Sequence, residues 1–468
     1  MTVVAVHDAI ASYRDYLGQH AGLVQTFAID ALDHLAIPVW NATAWSSSPA
    51  HGVGYGERPE QAELGALGEA AEGLAAARFA STASVVELSV AEAMEQGGVH
   101  PARLSLVAGT QLEDAAPLLW VEACRWPDGE RRLLPLEAAV TSADEFARAA
   151  ASFPDRTPLF PPITNGLGAG GSHDRQRAVR HGLLELVQRD LNWSQFKALD
   201  TARTIDVGQV APEIAQTLAA VGLDLRLKYS GQTFGVHALH CAAVDRSGRT
   251  VPIARSATGE GADPDPVVAG RKAILEMCAS RCRKRFFFGG EAALAVAPSE
   301  YRQRARRVAR TQARELRWDL VARFDELLGD GGTLDSVAER ITTVGDVVPL
   351  PPASDHDELW DRLAGAGLEA IVVALTNDEE PAQVVKVVVP GLEAEVLSHH
   401  RLSARGVRRL AQRCPSLVRC CVKAPGPGWQ RAVSDGTPSW VNIAAMEEIA
   451  APFLPLYREP DRHAYAMP

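Results

Sequence analysis

The order of apolar and polar positions alternates along the chain between helical and extended patterns. Apolar residues recur at helical spacing over residues 8–36, and an alanine-rich stretch at 59–78 starts with a proline, which is favoured in a first helical turn. Helices are also predicted at 174–196 and 267–285. A fifth helical stretch, at 299–330, carries charges of alternating sign, which are typical of a solvated face.

Strands are predicted where short runs of apolar and β-branched residues lie between these helices. The runs at 118–123 and 131–135 flank Pro127-Asp128-Gly129 and predict a hairpin, and those at 225–229 and 235–244 predict a second strand pair. Further strands are predicted at 37–42, 371–375 and 384–389. Two glycine-rich segments are interpreted as loops, at 164–172 and 259–266, and a third glycine-rich segment, at 52–56, precedes the alanine-rich helix. These elements predict an α+β fold, with helices packed on mixed or antiparallel sheets.

Composition narrows the class of protein. The 468 residues are 47% hydrophobic and 22% charged, as in ordinary globular proteins, and the formal net charge of −11 argues against general affinity for nucleic acid or anionic membrane. No run approaches the roughly 18 apolar residues that a membrane span needs. The N-terminus lacks the pattern of a signal peptide, and the seven cysteines form no CxxC pair, so we expect a cytoplasmic protein with reduced thiols.

Two distant helical segments carry related pairs of oxygen-bearing side chains. Glu69 is followed three residues later by Glu72, and Glu185 is followed three residues later by Gln188. Residues at this spacing share one face of a helix, so two such helices could gather three carboxylates and an amide oxygen. Hard cations such as Mg²⁺ are held by oxygen ligands of this kind, usually together with substrate phosphates. The sequence therefore predicts a nucleotide–metal site between the two helices.

Several blocks of the chain occur in the order found in one known family. They are GALGEAAE at 65–72, NGLGAG at 165–170, GLLELVQRD at 182–190, GEGADPDP at 259–266 with AILEMCASR at 273–281, VVKVVVPGLE at 384–393 and, more weakly, PFLP at 452–455. In this order they resemble the YcaO family. The resemblance implies a YcaO-like fold around a central ATP and Mg²⁺ site. It also implies an N-terminal helical segment at 1–36 and a catalytic domain at 37–468, with no separate leader-binding domain.

The resemblance also implies a reaction. A YcaO enzyme uses ATP and Mg²⁺ to activate a backbone amide of a ribosomally made precursor peptide. A nucleophile adds to the amide carbonyl, ATP phosphorylates the resulting hemi-orthoamide oxygen, and phosphate then leaves. A side-chain thiol or hydroxyl gives an azoline, a backbone amine gives a macroamidine, and external sulfide gives a thioamide. Phosphorylation matters because an amide oxygen is a poor leaving group, and catalysis of its transfer rests on positioning and charge neutralisation.

Individual residues match the family's site positions. The resemblance implies Mg²⁺ ligands and nucleotide contacts at Glu69, Glu72, Glu185 and Gln188. It implies phosphate contacts at Arg189 and Arg281, where a guanidinium suits oxygen anions. No histidine is singled out as the catalytic base, and His399 and His400 are among those left open.

The chain also departs from the family pattern. Gln188 stands where glutamate is usual, Arg177 where another acid is expected, Gly65 in place of a serine and Tyr55 in place of a lysine. The chain ends without a PxPxP tail. These features favour a divergent, stand-alone cyclodehydratase of the bottromycin type that acts on a ribosomal precursor peptide. The oligomeric state is left open, with a homo-oligomer as the state considered. Thioamide formation and a non-catalytic peptide-binding scaffold are the alternatives.

Overall fold

The computed structural model describes residues 3–35, 37–197, 203–245, 252–312, 347–354, 359–394, 401–434 and 438–450. The helices are α1 Val3–His20, α2 Pro59–Thr82, α3 Val90–Glu95, α4 Leu136–Ala139, α5 Ala143–Ala149, α6 Arg175–Lys197, α7 Pro212–Ala220, α8 Pro266–Phe288, α9 Gly290–Leu294, α10 Ser299–Gln312, α11 Leu359–Gly365, α12 Ala404–Arg413 and α13 Ile443–Ala450. Within the described residues, no helix is long and apolar enough to cross a membrane.

The strands form small antiparallel sheets. Their bounds are β1 Leu23–Ala28, β2 Val39–Trp45, β3 Ala50–Tyr55, β4 Val85–Ser89, β5 Leu106–Val107, β6 Pro117–Trp126, β7 Arg131–Pro135, β8 Leu167–Gly171, β9 Arg203–Ile205, β10 Leu223–Thr233, β11 Val236–Asp245, β12 Ser256–Asp263, β13 Ala370–Ala374, β14 Ala382–Val388, β15 Arg401–Leu402, β16 Val418–Cys420, β17 Trp429–Ala432 and β18 Ser439–Asn442. The sheet orders are β1-β2-β3, β12-β11-β10-β9, β4-β6-β13-β14-β8 with β7 beside β6, β15-β5 and β16-β18-β17. The predicted α+β class with helices on antiparallel sheets is confirmed.

Most of the long predicted elements are confirmed. The helices predicted at 59–78, 174–196 and 267–285 are α2, α6 and α8, and the two predicted strand pairs are β6–β7 and β10–β11. The predicted strands at 37–42, 371–375 and 384–389 correspond to β2, β13 and β14. The charged stretch is helical from Ser299 to Gln312, and its remainder to residue 330 lies outside the described residues. The same holds for His399, His400 and the block at 452–455.

The helix predicted over residues 8–36 is wrong beyond His20. Residues 23–28 instead form β1, which pairs with β2 in register, so the backbone groups of this segment are used by a sheet. Its apolar Phe27 packs edge-to-face against Phe286 and Tyr301. The sheet formed by β1, β2 and β3 thus joins residues on both sides of the boundary proposed at residue 36.

The glycine-rich segments at 164–172 and 259–266, interpreted as loops, contain the strands β8 and β12, and the segment at 52–56 lies mostly in β3. Each of these strands carries two glycines two residues apart, Gly52 and Gly54 in the first, and each precedes a long helix that packs on it, α2, α6 or α8. At these glycines a Cβ would overlap main-chain atoms of that helix or, at Gly170, of the residue just before it. The strands therefore lack side chains at the contact because the helix backbone lies directly on the strand backbone.

We expect this close packing to make the glycines indispensable. A Cβ at Gly54 would overlap the main chain at Ala62 and Ala66, so Gly54→Ala should destabilise the protein by about 1–3 kcal/mol, as overpacking does elsewhere. Chemical denaturation would measure this. Gly18 in α1 has no neighbouring atom where a Cβ would stand, so Gly18→Ala should leave stability unchanged or raise it by about 0.5–1 kcal/mol. Equal effects of the two substitutions would contradict this account.

Glu137 lies buried in α4, where one carboxylate oxygen accepts from the Leu159 N–H and the other has no hydrogen-bond partner among the residues that the structure describes. Burial raises its pKa to about 7, because the charged form loses its hydration. The folded protein then binds a proton that the unfolded chain releases, so stability falls as pH rises from the ordinary carboxyl range to about 7. We expect Glu137→Gln to reduce this fall, measured as the difference in urea midpoint between pH 5 and pH 8. An unchanged difference would contradict the assignment.

Candidate functional site

The three strand–helix units place a glutamate at the same position. In each unit the glutamate comes sixteen residues after the residue that lies between the two glycines. The pairs are Val53 and Glu69, Ala169 and Glu185, and Glu260 and Glu276. In the first and third units the N–H of the middle residue donates to this carboxylate, Val53 to Glu69 at 2.9 Å and Glu260 to Glu276 at 3.0 Å. The equivalent Glu185 accepts from the nearby Gly166 N–H at 2.8 Å. Strand backbones therefore fix these side chains.

Glu69, Glu72 and Glu185, predicted as ligands from the sequence, lie within electrostatic reach of one another on α2 and α6, which both pack on β8. The pKa of Glu72 is raised well above its usual range, first by burial and then by the negative charges of Glu69 and Glu185. The Ala169 N–H donates to Glu72 and opposes this shift. The fold thus holds three like-charged groups within electrostatic reach of one another, an arrangement that a cation would relieve.

Arg189 joins these acids to a second group of polar side chains. Its guanidinium donates to Glu260 at 3.1 Å and to Glu185 at 3.3 Å. Glu260 also accepts from Asn192 at 2.7 Å and from the side-chain amide of Gln188 at 3.4 Å. The amide group of Gln188 therefore turns its donor toward Glu260. Among the described residues the Nε of Arg189 has no partner, so this guanidinium keeps one donor unused.

Tyr55 and Glu276 border the same group. Burial raises the pKa of Glu276 to about 7, with a further contribution from the charge of Glu260, while Arg189 lowers it. Tyr55 hydrogen-bonds to Glu276, and burial keeps the pKa of its hydroxyl well above the usual range. The residue that departs from the family's lysine therefore contributes a neutral hydroxyl beside a carboxylate.

Basic side chains lie around His181, which is near Glu185. Burial lowers the pKa of His181, Glu185 raises it, and the positive charges of Lys272 and Arg177 lower it further. His181 and Glu69 nevertheless have solvent-exposed surface, so water reaches this group. A group of carboxylates beside cationic side chains is suited to bind a metal ion together with the phosphate chain of a nucleotide.

Arg281, predicted as a phosphate contact, is placed apart from this group. Its side chain is 3% exposed and donates to Asp33 at 2.6 Å and to Asp245 at 2.5 Å. Arg285 lies near the same two acids. Both carboxylates are buried, so the geometry gives Arg281 the role of neutralising them.

Sequence reasoning missed two acids of the group, Glu260 and Glu276. The i, i+3 pattern did not find Glu276, because the residue three places on is Ala279. Glu260 was hidden in a segment interpreted as a loop. The recurring signal was a glycine–any residue–glycine segment with glutamate sixteen places after its centre.

The donor set fits Mg²⁺ bound together with a nucleotide. All the acids offer oxygen, which Mg²⁺ prefers, and the pKa of Glu72 is raised by burial and then by the negative charges of Glu69 and Glu185. Within the part of the chain that the structure describes, no three His, Cys, Asp or Glu side chains converge tightly enough to hold an ion alone. Such an ion would be expected to complete its coordination with phosphate oxygens and water.

In this α+β fold, glycine-ribbed strands, whose paired glycines lie against a helix backbone, hold the acidic helices around one group of acids. The arrangement is that of a nucleotide–metal enzyme, and comparisons with known proteins identify its family. A family model described as YcaO cyclodehydratase, ATP- and Mg²⁺-binding, matches residues 53–393. The chain belongs to the YcaO family, and ATP and Mg²⁺ are its cofactors. An uncharacterized protein of Methanothermobacter thermautotrophicus is 26% identical over 402 residues, covering 82% of this chain and 93% of that protein.

Two solved structures share the fold. The structure of YcaO from Methanopyrus kandleri bound with AMPPCP and Mg²⁺ matches with a TM-score of 0.56 and 22% identity, over 85% of this chain and 94% of that one. A heterocyclase in complex with substrate and cofactor matches with a TM-score of 0.58 and 16% identity, over 82% of this chain. The match covers 52% of the heterocyclase chain, so this chain spans about half of it.

Proposed function

We propose that this YcaO protein catalyses ATP-dependent cyclodehydration of a backbone amide in a ribosomally made precursor peptide. The observation that carries the proposal is the meeting of Glu69, Glu72 and Glu185 beside the guanidinium of Arg189. Family membership supplies ATP and Mg²⁺, and a heterocyclase of the same fold has been solved with its substrate. We further propose that the product is a macroamidine or an azoline, and that the chain is a member of the bottromycin type.

The reaction assigns distinct tasks to the protein. The nucleophile forms a bond to the amide carbon and loses its proton, and the former carbonyl oxygen takes the terminal phosphoryl group of ATP, which releases ADP. Phosphate then leaves with the C–O bond electrons as the nitrogen loses a proton and forms the new C=N bond. Glu69, Glu72 and Glu185 would hold Mg²⁺, and the amide oxygen of Gln188 could add a neutral ligand. When bound, the ion would neutralise charge on the transferred phosphoryl group.

Cationic groups would hold the phosphates in line for transfer. Arg189 is oriented by Glu185 and Glu260, and a guanidinium held in this way loses less freedom on binding an oxyanion. Arg177 and Lys272, which lie within electrostatic reach of His181, are further candidates for phosphate contacts. We leave Arg281 out of this set because Asp33 and Asp245 already occupy its guanidinium.

Mass spectrometry of the peptide tests the proposal. Candidate precursor peptides are incubated with the protein, ATP and Mg²⁺, alongside reactions lacking ATP. Cyclodehydration predicts loss of one water mass per ring, together with stoichiometric release of ADP and phosphate. With sulfide present, replacement of oxygen by sulfur would instead identify thioamide formation. A cognate peptide that stays unmodified, with a protein that does not bind a non-hydrolysable ATP analogue, would favour the scaffold alternative.

A further inference from the structure

The part of the chain between residues 401 and 434 is strongly basic. It contains eight arginines and lysines and no aspartate or glutamate, in a chain whose formal net charge is −11. This basic segment includes β15, α12, β16 and β17, and β16 and β17 flank β18 in a small sheet. Positive charge is therefore concentrated in one part of an otherwise acidic protein. We call this basic segment, together with β18, the basic module.

Only part of this charge is used within the fold. Arg405 and Arg409 pair with the buried carboxylate of Asp190, at 2.6 and 2.9 Å. Arg419, Lys423 and Arg431 are exposed, and within the described residues none of them pairs with a carboxylate. These three cations remain available to an anionic partner.

Two of these cations, Arg419 and Arg431, lie next to tryptophan side chains in the sheet. Arg419 and Arg431 lie opposite Trp440, one on each side, in the registers β16–β18 and β17–β18. The Arg419 guanidinium also lies over the ring of Trp429, 5.8 Å from its centroid. Both tryptophans are half-buried. The outer face of the sheet therefore combines positive charge with apolar surface, a combination enriched where proteins bind peptides.

The outer edge of β16 offers unused backbone groups. Within the described residues β16 pairs only with β18, and the Cys421 N–H donates to the Pro438 carbonyl at 3.0 Å. Because antiparallel ladders alternate, the N–H and C=O of Cys420 point away from β18. Cys420 is exposed, and Val422 just beyond it is 81% exposed. A strand added here would find main-chain partners and an apolar contact.

We propose that an extended acidic segment of the peptide substrate docks on this basic module by adding a strand to the edge of β16. The inference rests on the proposed function for the identity of the peptide. Cations at Arg419 and Lys423 oppose pairing with a second copy of the same strand and favour an acidic one. Unpaired strand backbone suits a peptide, whereas the acidic charge of the whole chain opposes a long nucleic acid.

The module is fastened to the helix that carries part of the candidate site. Asp190, which holds Arg405 and Arg409, follows Arg189 in α6. Trp193 of α6 packs in the apolar core of the module with Leu402, Val407 and Leu410. A peptide bound on β16 would thus be held close to α6, the helix that carries Glu185. This tethering would raise the effective concentration of the peptide's reacting amide near Glu185.

Fluorescence anisotropy tests the docking surface without ATP. The probe is a labelled ten-residue peptide of alternating glutamate and valine, with an alternating lysine–valine peptide and single-stranded DNA of ten nucleotides as comparisons. We expect the acidic peptide to bind preferentially and more weakly as salt is added. The double variant Arg419→Glu, Arg431→Glu should weaken binding at low salt about tenfold or more. Its folding is checked by an unchanged denaturation midpoint.

The edge itself is tested at Cys420. Cys420→Pro removes the outward N–H without touching the ladder to β18, and should weaken binding about fivefold to tenfold relative to Cys420→Ser. Equal binding by these two variants, no binding of the acidic peptide, or equal binding of the DNA would each overturn the proposal. Glu69→Gln should bind the acidic peptide normally. If it does while wild-type protein fails to modify any precursor, the docking surface stands and the proposed reaction falls.

Discussion

Replacing Glu185 or Glu69 by glutamine is expected to lower kcat/KM for ATP-dependent peptide modification by about a hundredfold or more. Each substitution keeps the size of the side chain and an oxygen that can still accept the anchoring N–H of Gly166 or Val53. Only the charge offered to Mg²⁺ is lost. Single-turnover assays of ADP release and calorimetry with a non-hydrolysable ATP analogue and Mg²⁺ measure the effect.

Glu63 provides the matched control on the same helix as Glu69. It pairs with Arg14 and accepts weakly from Thr26, so it is engaged outside the acidic group. Glu63→Gln should leave turnover and nucleotide binding within a factor of about two, as is usual for a partly exposed ion pair. Normal metal-dependent nucleotide binding by both Glu69→Gln and Glu185→Gln would show that the metal ligands have been assigned to the wrong residues.

The second large effect concerns stability. Arg281→Ala removes the cation that bonds both Asp33 and Asp245, whose buried carboxylates would keep only the more distant Arg285, at 3.8 and 4.0 Å. Breaking a buried ion pair in this way costs about 3–5 kcal/mol, which should appear as a much lower denaturant midpoint. Arg306→Ala is the control, because its ion pair with Glu291 is exposed and its loss should hardly change the denaturant midpoint.

The same variant separates two roles for Arg281. If the residue neutralises buried acids, folded Arg281→Ala at low temperature should bind the ATP analogue with an affinity close to that of the wild type. A strongly reduced affinity for the ATP analogue, with an unchanged denaturant midpoint, would instead support the phosphate-binding role that the family resemblance implied for Arg281. The two measurements give opposite patterns for the two roles.

Helical periodicity found the helices that carry the site, because an amphipathic helix repeats its pattern over many residues. The glycine-ribbed strands were missed for a physical reason. A strand on which a helix backbone rests directly carries no β-branched side chains there, so its composition is that of a loop. The segment at 23–28 was missed because its apolar positions also fit a helix, and only pairing with β2 decides between the two.

The site was predictable where its pattern is local. Oxygen-bearing side chains three places apart, Glu69 with Glu72 and Glu185 with Gln188, predicted one acidic group, and the structure brings Glu69, Glu72 and Glu185 together. Glu276 has no such neighbour, and the partners of Arg281 lie 248 and 36 residues away in the chain. A sequence pattern cannot tell which distant acids a buried arginine will meet, and for this reason the role of Arg281 required the fold.

The glycine-ribbed strands have a consequence for how the site can vary. The N–H groups that hold Glu69, Glu72 and Glu276 belong to the residues between the paired glycines, Val53, Ala169 and Glu260. Since the donor is main chain, the side chain at that middle place can change without moving the carboxylate it holds. The third unit uses this freedom, because its middle residue adds a carboxylate that meets Arg189. A new functional group can therefore be introduced beside the acids at any of these three positions, while the main-chain N–H groups that anchor the glutamates stay the same.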